Sequence, residues 1–560
     1  MQKMVIIKLS SLLREFYMPD TFSYSQFFPY DKIRKEQTIA IDFALDSFIN
    51  GNKKFVIIEA GTGVGKSAVG YTIAKYLNSQ VLKPDSYYEP GSYFLTTQKI
   101  LQEQYINDFG SGPRPMCSIK SSSNYKCSYN KKNTCGESQR LLKVADKKSQ
   151  FFKACTFNCS YKKAKEQFLE AGEGVSNFAY FLAETYYSGK IKPRNLLVID
   201  EAHNCDMQLS RFVEMSISEK FCNQVLNLKF PSGETQLQTF DWLKEIYEPK
   251  LKLHVAHMES ILEKYSKLRE KLDQFVNLSQ KYEMLDKHLC KLHRFLEIYQ
   301  KDNWIMNIVE SDIQKSKKVE FKPVCVAPYS EDILFKSGEK VLMMSATILD
   351  HEGFCETLGI SLEDSAFITI PSPFPVENKP IIYSGIGRMS SANIDETLPK
   401  MAEAIKEILK EHENEKGIIH CHSYKVAHYL KKKIRSSRIL IHGSDDRDKV
   451  LRKHISSKKP TVLLSPSMTE GVDLKGDISR FQVLCKVPYP YLGDKLIRKK
   501  MNKWKWWYPL QTAKTIVQSV GRSVRSVDDH AVTYILDSDW SRFYGKNSKY
   551  FPRDFKRSVL

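Results

Sequence analysis

Apolar residues fall into two kinds of run along this chain. Short β-branched or aliphatic runs stand at 55–58 (FVII), 93–97, 196–199, 341–344, 417–420, 461–464 and 532–536. Segments with apolar residues every three or four positions separate them, as in AVGYTIAKYL after the first. Strands alternating with helices predict parallel α/β sheets, and their division into an early and a late group predicts two such domains. Between the groups the pattern changes. Residues 251–300 hold neither Gly nor Pro, and apolar side chains recur at Leu251, Val255, Met258, Leu262 and Tyr265, then at Leu278, Tyr282, Leu285, Leu289, Leu292, Leu296 and Tyr299. That spacing predicts two amphipathic helices packed as an antiparallel pair, turning near Asn277.

The 560 residues are enough for three or four domains at roughly 100–200 residues each. Lys and Arg number 85 against 65 Asp and Glu, a formal charge of +20, which suits a polyanionic partner and nucleic acid first. No apolar run reaches the roughly 18 residues that span a bilayer. The opening segment is broken by Lys8 and Arg14 and has no small-residue cleavage site, so neither signal peptide nor anchor is expected. The expected location is cytoplasmic, or nuclear, rather than secreted. Five of the twelve cysteines fall between Cys117 and Cys159. In a reducing compartment such clustering points to metal or cluster ligation instead of disulfides.

The run FVII leads into EAGTGVGKS, Glu59 to Ser67, and then into a helical pattern. This is the context of a phosphate-binding loop. Backbone amides from Thr62 through Gly63, Val64 and Gly65 to Lys66 would cradle phosphate oxygens at the positive end of the helix, Lys66 would reach the β and γ phosphates, and Ser67 would ligate magnesium. Ala60 stands where the usual pattern begins with Gly, and Gly61, Gly63 and Gly65 keep the loop flexible. LLVIDEAH, Leu196 to His203, ends a buried-strand pattern in two carboxylates. Asp200 is placed to hold magnesium, and Glu201 to orient and deprotonate the attacking water.

With these residues the chain resembles the superfamily 2 helicases, and among them the XPD/DinG-type iron–sulfur DNA helicases. FPYDKIRKEQ, Phe28 to Gln37, resembles the adenine-side motif, with Arg34 and Gln37 as contacts. TTQKILQEQY, Thr96 to Tyr105, resembles motif Ia, which lies on the nucleic-acid backbone, and MSATI, Met344 to Ile348, resembles motif III. IIHCHS from Ile418 resembles motif IV. SPSMTEGVDLKG, Ser465 to Gly476, resembles motif V, with Glu470, Gly471 and Asp473 at the nucleotide. QSVGRSVRS, Gln518 to Ser526, resembles motif VI. The resemblance implies that His203 and Gln518 help to organise the site, and that Arg522 and Arg525 approach the γ-phosphate from the second motor domain.

Cys127, Cys135, Cys155 and Cys159 have spacings of 7, 19 and 3 intervening residues. By spacing alone they suit tetrahedral zinc as well as a 4Fe–4S cluster; the resemblance implies the cluster, with Cys117 a competing ligand. It also implies two RecA-like domains with two insertions in the first. The motor parts would be 1–109, 166–205 and 323–350, interrupted by a cluster insertion (110–165) and a helical Arch insertion (206–322), with the second motor domain at 351–560. No nuclease domain is expected before Phe28. SPFPVENKP, Ser372 to Pro380, is similar to the start of the family's second motor domain. The implied activity is ATP- and magnesium-dependent translocation on single-stranded DNA, 5′ to 3′, with unwinding of forked duplexes by a monomer. An RNA-dependent or non-unwinding translocase and a catalytically silent nucleic-acid scaffold are the alternatives. KWKWWYP, Lys503 to Pro509, has the basic and aromatic residues that grip a strand, and equally those of a buried anchor.

Overall fold

The computed structural model describes residues 22–80, 85–267, 272–311, 316–443, 445–466 and 474–560. The opening segment with Lys8 and Arg14, and the motif V residues Glu470, Gly471 and Asp473, lie outside the described residues.

Every apolar run singled out above is a strand. In chain order the strands are β1 (Phe55–Ala60), β2 (Glu89–Thr96), β3 (Cys117–Ile119), β4 (Glu173–Asn177), β5 (Arg194–Asp200), β6 (Met215–Ser218), β7 (Trp304–Ser311), β8 (Ser316–Pro323), β9 (Gly338–Ser345), β10 (Ser365–Ile370), β11 (Ile381–Gly387), β12 (Gly417–His420), β13 (Ile439–Ile441), β14 (Val462–Ser465), β15 (Phe481–Leu484) and β16 (Val532–Asp537). The first sheet has the order β10-β1-β9-β5-β2-β4-β3 and the second β11-β16-β15-β12-β14-β13. The pairings in both are parallel.

Parallel strands are covered on both faces, which is why these read as continuous apolar runs. In β1, Val56 and Ile58 pack into one core while Phe55 and Ile57 pack into the other. Helix Lys66–Ser79 covers the first of these faces with Val69, Ile73, Ala74 and Leu77. In the second lobe, helix Ile394–Glu411 buries Leu398, Met401, Ala402 and Ile405. Register aligns Glu59 with Ser345 and Asp200 with Met344. These residues therefore meet at the carboxyl ends of the strands, where open α/β sheets bind ligands.

Four expectations need correction. The first sheet continues past residue 350, because β10 runs beside β1 from Ser365↔Phe55 to Ile370↔Ala60; its run AFITI is an edge strand outside the runs singled out above. β3, inside the expected 110–165 insertion, belongs to that sheet too, paired with β4, so the cysteine-rich stretch leaves after Ile119 and returns at Glu173. The 206–322 segment is not purely helical. β6, β8 and β7 form a three-stranded antiparallel sheet in it, masked in the sequence by the charges of SKKVEFKP. Its two long helices are Glu248–Ser266 and Leu272–Ile298. Asn277 is thus an exposed residue within the second helix and not at the turn, since an exposed polar residue is tolerated on a helix surface.

The helices and the small sheet share one aromatic core: the Phe295 ring lies 5.0 Å from both Trp304 and Phe321. Among the described residues no helix is long and apolar enough to cross a membrane. Phe295 is fully buried, so Phe295→Ala should cost about 3–5 kcal/mol locally. Limited proteolysis should then cut this segment first while the two parallel sheets stay protected.

Candidate nucleotide-binding site

β1 ends at Ala60, and the loop turns through Gly63 (φ +87°) and Gly65 (φ +85°) into helix Lys66–Ser79. Both glycines adopt the left-handed conformation that side chains disfavour. At Gly63 there is also no room, since a Cβ would lie 2.0 Å from the ring of Phe374. The Lys66 ammonium donates to the Ala60 carbonyl (3.3 Å), so the position that departs from the usual pattern supports the lysine through its backbone. Arg34 donates to the Gly63 carbonyl (2.8 Å), and its own amide donates to Gln37 Oε1 (2.9 Å). Arg34 and Gln37 thus abut the loop. Ser67 occupies the first turn of the helix.

Across the sheet, β5 delivers Asp200 and Glu201. The Glu201 amide donates to Asp200 Oδ1 (2.9 Å), and the Tyr105 hydroxyl donates to Asp200 Oδ2 (3.2 Å). Glu201 has φ +51°, a costly conformation for a non-glycine residue that tends to mark functional positions. Burial and the neighbouring Glu201 charge push Asp200 above the usual carboxylate range, against the pull of Lys66. Burial would raise Glu201 as well, but His203, Lys66 and Arg522 outweigh it and hold the carboxyl low. His203 Nδ1 lies 2.8 Å from Ser345 Oγ and 3.3 Å from Glu201 Oε2, tying the carboxylates to β9.

The second lobe closes the arrangement. Gln518 donates to Thr347 Oγ1 across the cleft (3.1 Å), and the Arg522 charge adds to those that hold Glu201 low. Arg522 and Arg525 sit just beyond helix Trp507–Val520, where the Arg525 amide donates to Asp529 Oδ2 (3.0 Å).

Three contributors were not anticipated. Tyr105 is one. Ser372 and Phe374 form a strap between the lobes: Ser372 Oγ donates to the Thr62 carbonyl (3.1 Å), the Ser372 amide donates to Asp554 Oδ2 (3.1 Å), and Phe374 packs with Val524 and Ala531. Glu59 is the third. It accepts the Leu349 amide (2.5 Å) just after the MSATI segment, and Leu349 holds φ +64°. A single acid closing the apolar strand FVIIEA was the available sign of it.

Cys127, Cys135, Cys155 and Cys159 are all buried and line one small pocket with Ser128, Tyr129 and Ala154. The Cys135 and Cys159 sulfurs lie 3.1 Å apart, and burial beside Cys159 pushes the Cys135 thiol up. Among the described residues no group of three or more His, Cys, Asp or Glu side chains is disposed to hold a single metal ion. Four converging sulfurs in an apolar shell nevertheless match the donor chemistry of a thiolate-bound cluster. Cys117 stays outside, on β3, with its thiol toward the Pro115 carbonyl.

The tryptophans of KWKWWYP prove to be a buried anchor. Trp504 and Trp507 are buried, the Trp504 indole donates to Glu356 (2.6 Å), and Trp506 packs on Gly353.

Two parallel sheets that bring a phosphate loop, an acidic strand end and a second-lobe arginine to one cleft define a RecA-like nucleotide-hydrolysing motor. The helicase C-terminal domain family matches residues 405–558, and the family of the type III restriction enzyme res subunit matches 31–230. A probable ATP-dependent helicase of Methanocaldococcus jannaschii is 22% identical over 93% of each chain. The ATP-dependent DNA helicase YoaA of Escherichia coli is 21% identical over 68% of this chain and 66% of its own. A solved XPD helicase shares the fold with a TM-score of 0.60 at 17% identity, covering 93% of this chain and 98% of that one. These matches, spread over most of the chain, support kinship with the XPD/DinG-type superfamily 2 helicases.

Burial raises Glu59 from 4.5 to about 7, against the Leu349 and Ile348 amides and Lys514. The folded state therefore holds this proton more tightly than the unfolded chain. Its stabilising contribution, about 3 kcal/mol, is complete below pH 4.5 and is lost as pH rises through about 7. Glu59→Gln should remove that part of the pH dependence, seen as a flatter melting temperature against pH than the parent shows.

Proposed function

We propose that this chain is an ATP-dependent DNA helicase that moves along single-stranded DNA and separates duplexes, with the 5′ to 3′ direction its family resemblance implies. The observation that carries the reading is that the Lys66 loop and the Asp200–Glu201 strand end stand together in one lobe while Gln518 of the second lobe, four residues before Arg522, donates to Thr347 across the cleft at 3.1 Å, with Glu201 held low among these charges. A carboxylate so placed is ionised and can accept a proton from an attacking water, while Lys66 and the loop amides hold the phosphates and Arg522, with Arg525, meets the charge that develops on the transferring phosphoryl group. Magnesium, held through Ser67 and Asp200, would supply charge neutralisation at the phosphates. Arg34 and Gln37 orient the nucleotide beside the loop, and the family resemblance implies further nucleotide contacts from Glu470, Gly471 and Asp473.

Closure and reopening of the cleft would step the lobes along a strand held mainly by its phosphates, which suits the +20 charge. We assign the stretch around 110–165 to a cluster-bearing insertion and 206–322 to the Arch, together surrounding the emerging strand. Cys127, Cys135, Cys155 and Cys159 would hold the 4Fe–4S cluster, whose contribution is to cross-link a segment too small for a large core. Free thiols agree with a reducing cytoplasmic or nuclear setting, and a single chain holding both halves of the site agrees with a monomer.

Lys66→Ala should lower strand-stimulated ATP hydrolysis by roughly a hundredfold or more and abolish displacement of a labelled strand from a tailed duplex. Parallel assays with RNA strands and with opposite tails test the nucleic acid and the direction, and near-normal hydrolysis by the variant would remove the site assignment. Anaerobically purified parent protein should contain iron and absorb visible light, and Cys159→Ser should lose both signals and unwinding while keeping part of the ATPase. Zinc in place of iron would correct the cluster.

A further inference from the structure

The Asp200 carboxylate is held at both oxygens. Its Oδ1 accepts the Glu201 amide at 2.9 Å, a contact any residue at 201 would supply. Its Oδ2 accepts the Tyr105 hydroxyl at 3.2 Å, and that contact depends on one side chain 95 positions earlier. Tyr105 is 2% exposed and stands on helix Lys99–Phe109, directly after β2. Its ring is fixed from two sides, 5.5 Å from Phe94 on β2 and 5.9 Å from Phe109. Phe109 in turn stacks on Tyr71 of the phosphate-loop helix, 4.4 Å away and nearly parallel.

An aromatic ring locked in this way cannot swing its hydroxyl off the acid without unpacking the core between β2 and helix Lys66–Ser79. Each Asp200 oxygen keeps a further lone pair for an ion or an ion-bound water, because a carboxylate oxygen accepts more than one bond. A phenylalanine would fill the same apolar space, so packing alone does not explain the hydroxyl.

We propose that Tyr105 is a positioning residue for the magnesium carboxylate, fixing Asp200 from the helix that carries the TTQKILQEQY motif. This rests on Asp200 being the magnesium-binding acid. Helix Lys99–Phe109 is then attached to the ion site by one hydrogen bond, and a shift of the helix when a strand binds would reorient Asp200. Outer contacts of this kind fix the direction of a ligand and tune the metal's affinity.

The test uses the full chain and a fluorescent non-hydrolysable ATP analogue, titrated with magnesium and separately in EDTA. Tyr105→Phe should raise the half-saturating magnesium concentration roughly tenfold and leave the analogue's affinity in EDTA and the melting temperature unchanged. Single-stranded DNA should lower the half-saturating magnesium of the parent and have a weaker effect on the variant. Tyr105→Leu, which also removes the ring, serves as the packing control and should melt earlier. Magnesium dependence within twofold of the parent in Tyr105→Phe, together with its loss in Asp200→Asn, overturns the role of Tyr105 and leaves Asp200 as the ion's ligand. Unaltered magnesium dependence in Asp200→Asn overturns the reading of Asp200, and this inference with it.

Discussion

The charge on Glu201 is the constraint around which the two lobes are arranged. A carboxyl this deeply buried would ordinarily take up a proton. It stays low because His203, Lys66 and Arg522 surround it, and those three come from the acidic strand end, the phosphate loop and the second lobe. The low Glu201 carboxyl therefore depends first on its His203 partner and on Lys66, with Arg522 adding to them from the second lobe. Asp200, next in the chain, is pushed the other way by the same burial and by Glu201 itself. Two adjacent acids with opposed tendencies can divide the work of holding an ion and accepting a proton.

Local sequence carried most of this site because phosphate loops and acidic strand ends are local structures. EAGTGVGKS and LLVIDEAH each need only a strand, a turn and the start of a helix, so the local structure that carries Lys66, Asp200 and Glu201 could be read directly. Parallel strands buried on both faces were equally plain. The missed elements share a different physics. β3 has three residues, and β8 carries lysines and a glutamate on a face that meets solvent, so neither presents an apolar run, whereas β10 does carry one, AFITI, on a half-exposed edge. Asn277 misled because a polar residue on the exposed side of a helix looks like a break. Tyr105 and Glu59 stood inside quoted motifs, yet their partners lie 95 and 290 positions away, and nothing in one sequence marks such a pairing.

KWKWWYP shows how composition and burial can disagree. Its lysines and tryptophans would suit a strand-binding surface, but the tryptophans are spent on the seam between the lobes, where Trp504 bonds Glu356 and Trp506 lies on Gly353. Lysines remain over them, Lys503 at 4.9 Å from the Trp504 ring and Lys500 at 5.4 Å from Trp507. Cationic heads resting on aromatic faces keep the seam's rim charged while its centre stays dry.

That seam and the strap at Ser372–Phe374 define what can move. The phosphate loop touches the second lobe through the Phe374 ring at Gly63 and through Ser372, which bonds Thr62 on one side and Asp554 on the other. Gly63 is consequently under two demands, a positive φ and the absence of a Cβ. Any rearrangement of the loop on nucleotide binding has to displace a ring that also packs against Val524, two residues past Arg522. Glu59 adds a second route on the other side of the loop, joining β1 to the backbone after MSATI, whose Thr347 is bonded to Gln518. The phosphate loop thus lies between two routes to the second lobe, one reaching Gln518 within its helix and the other Val524 and Asp554. Both routes begin within a few residues of Lys66, so the loop and the second lobe share packing on either side of the phosphate-binding backbone.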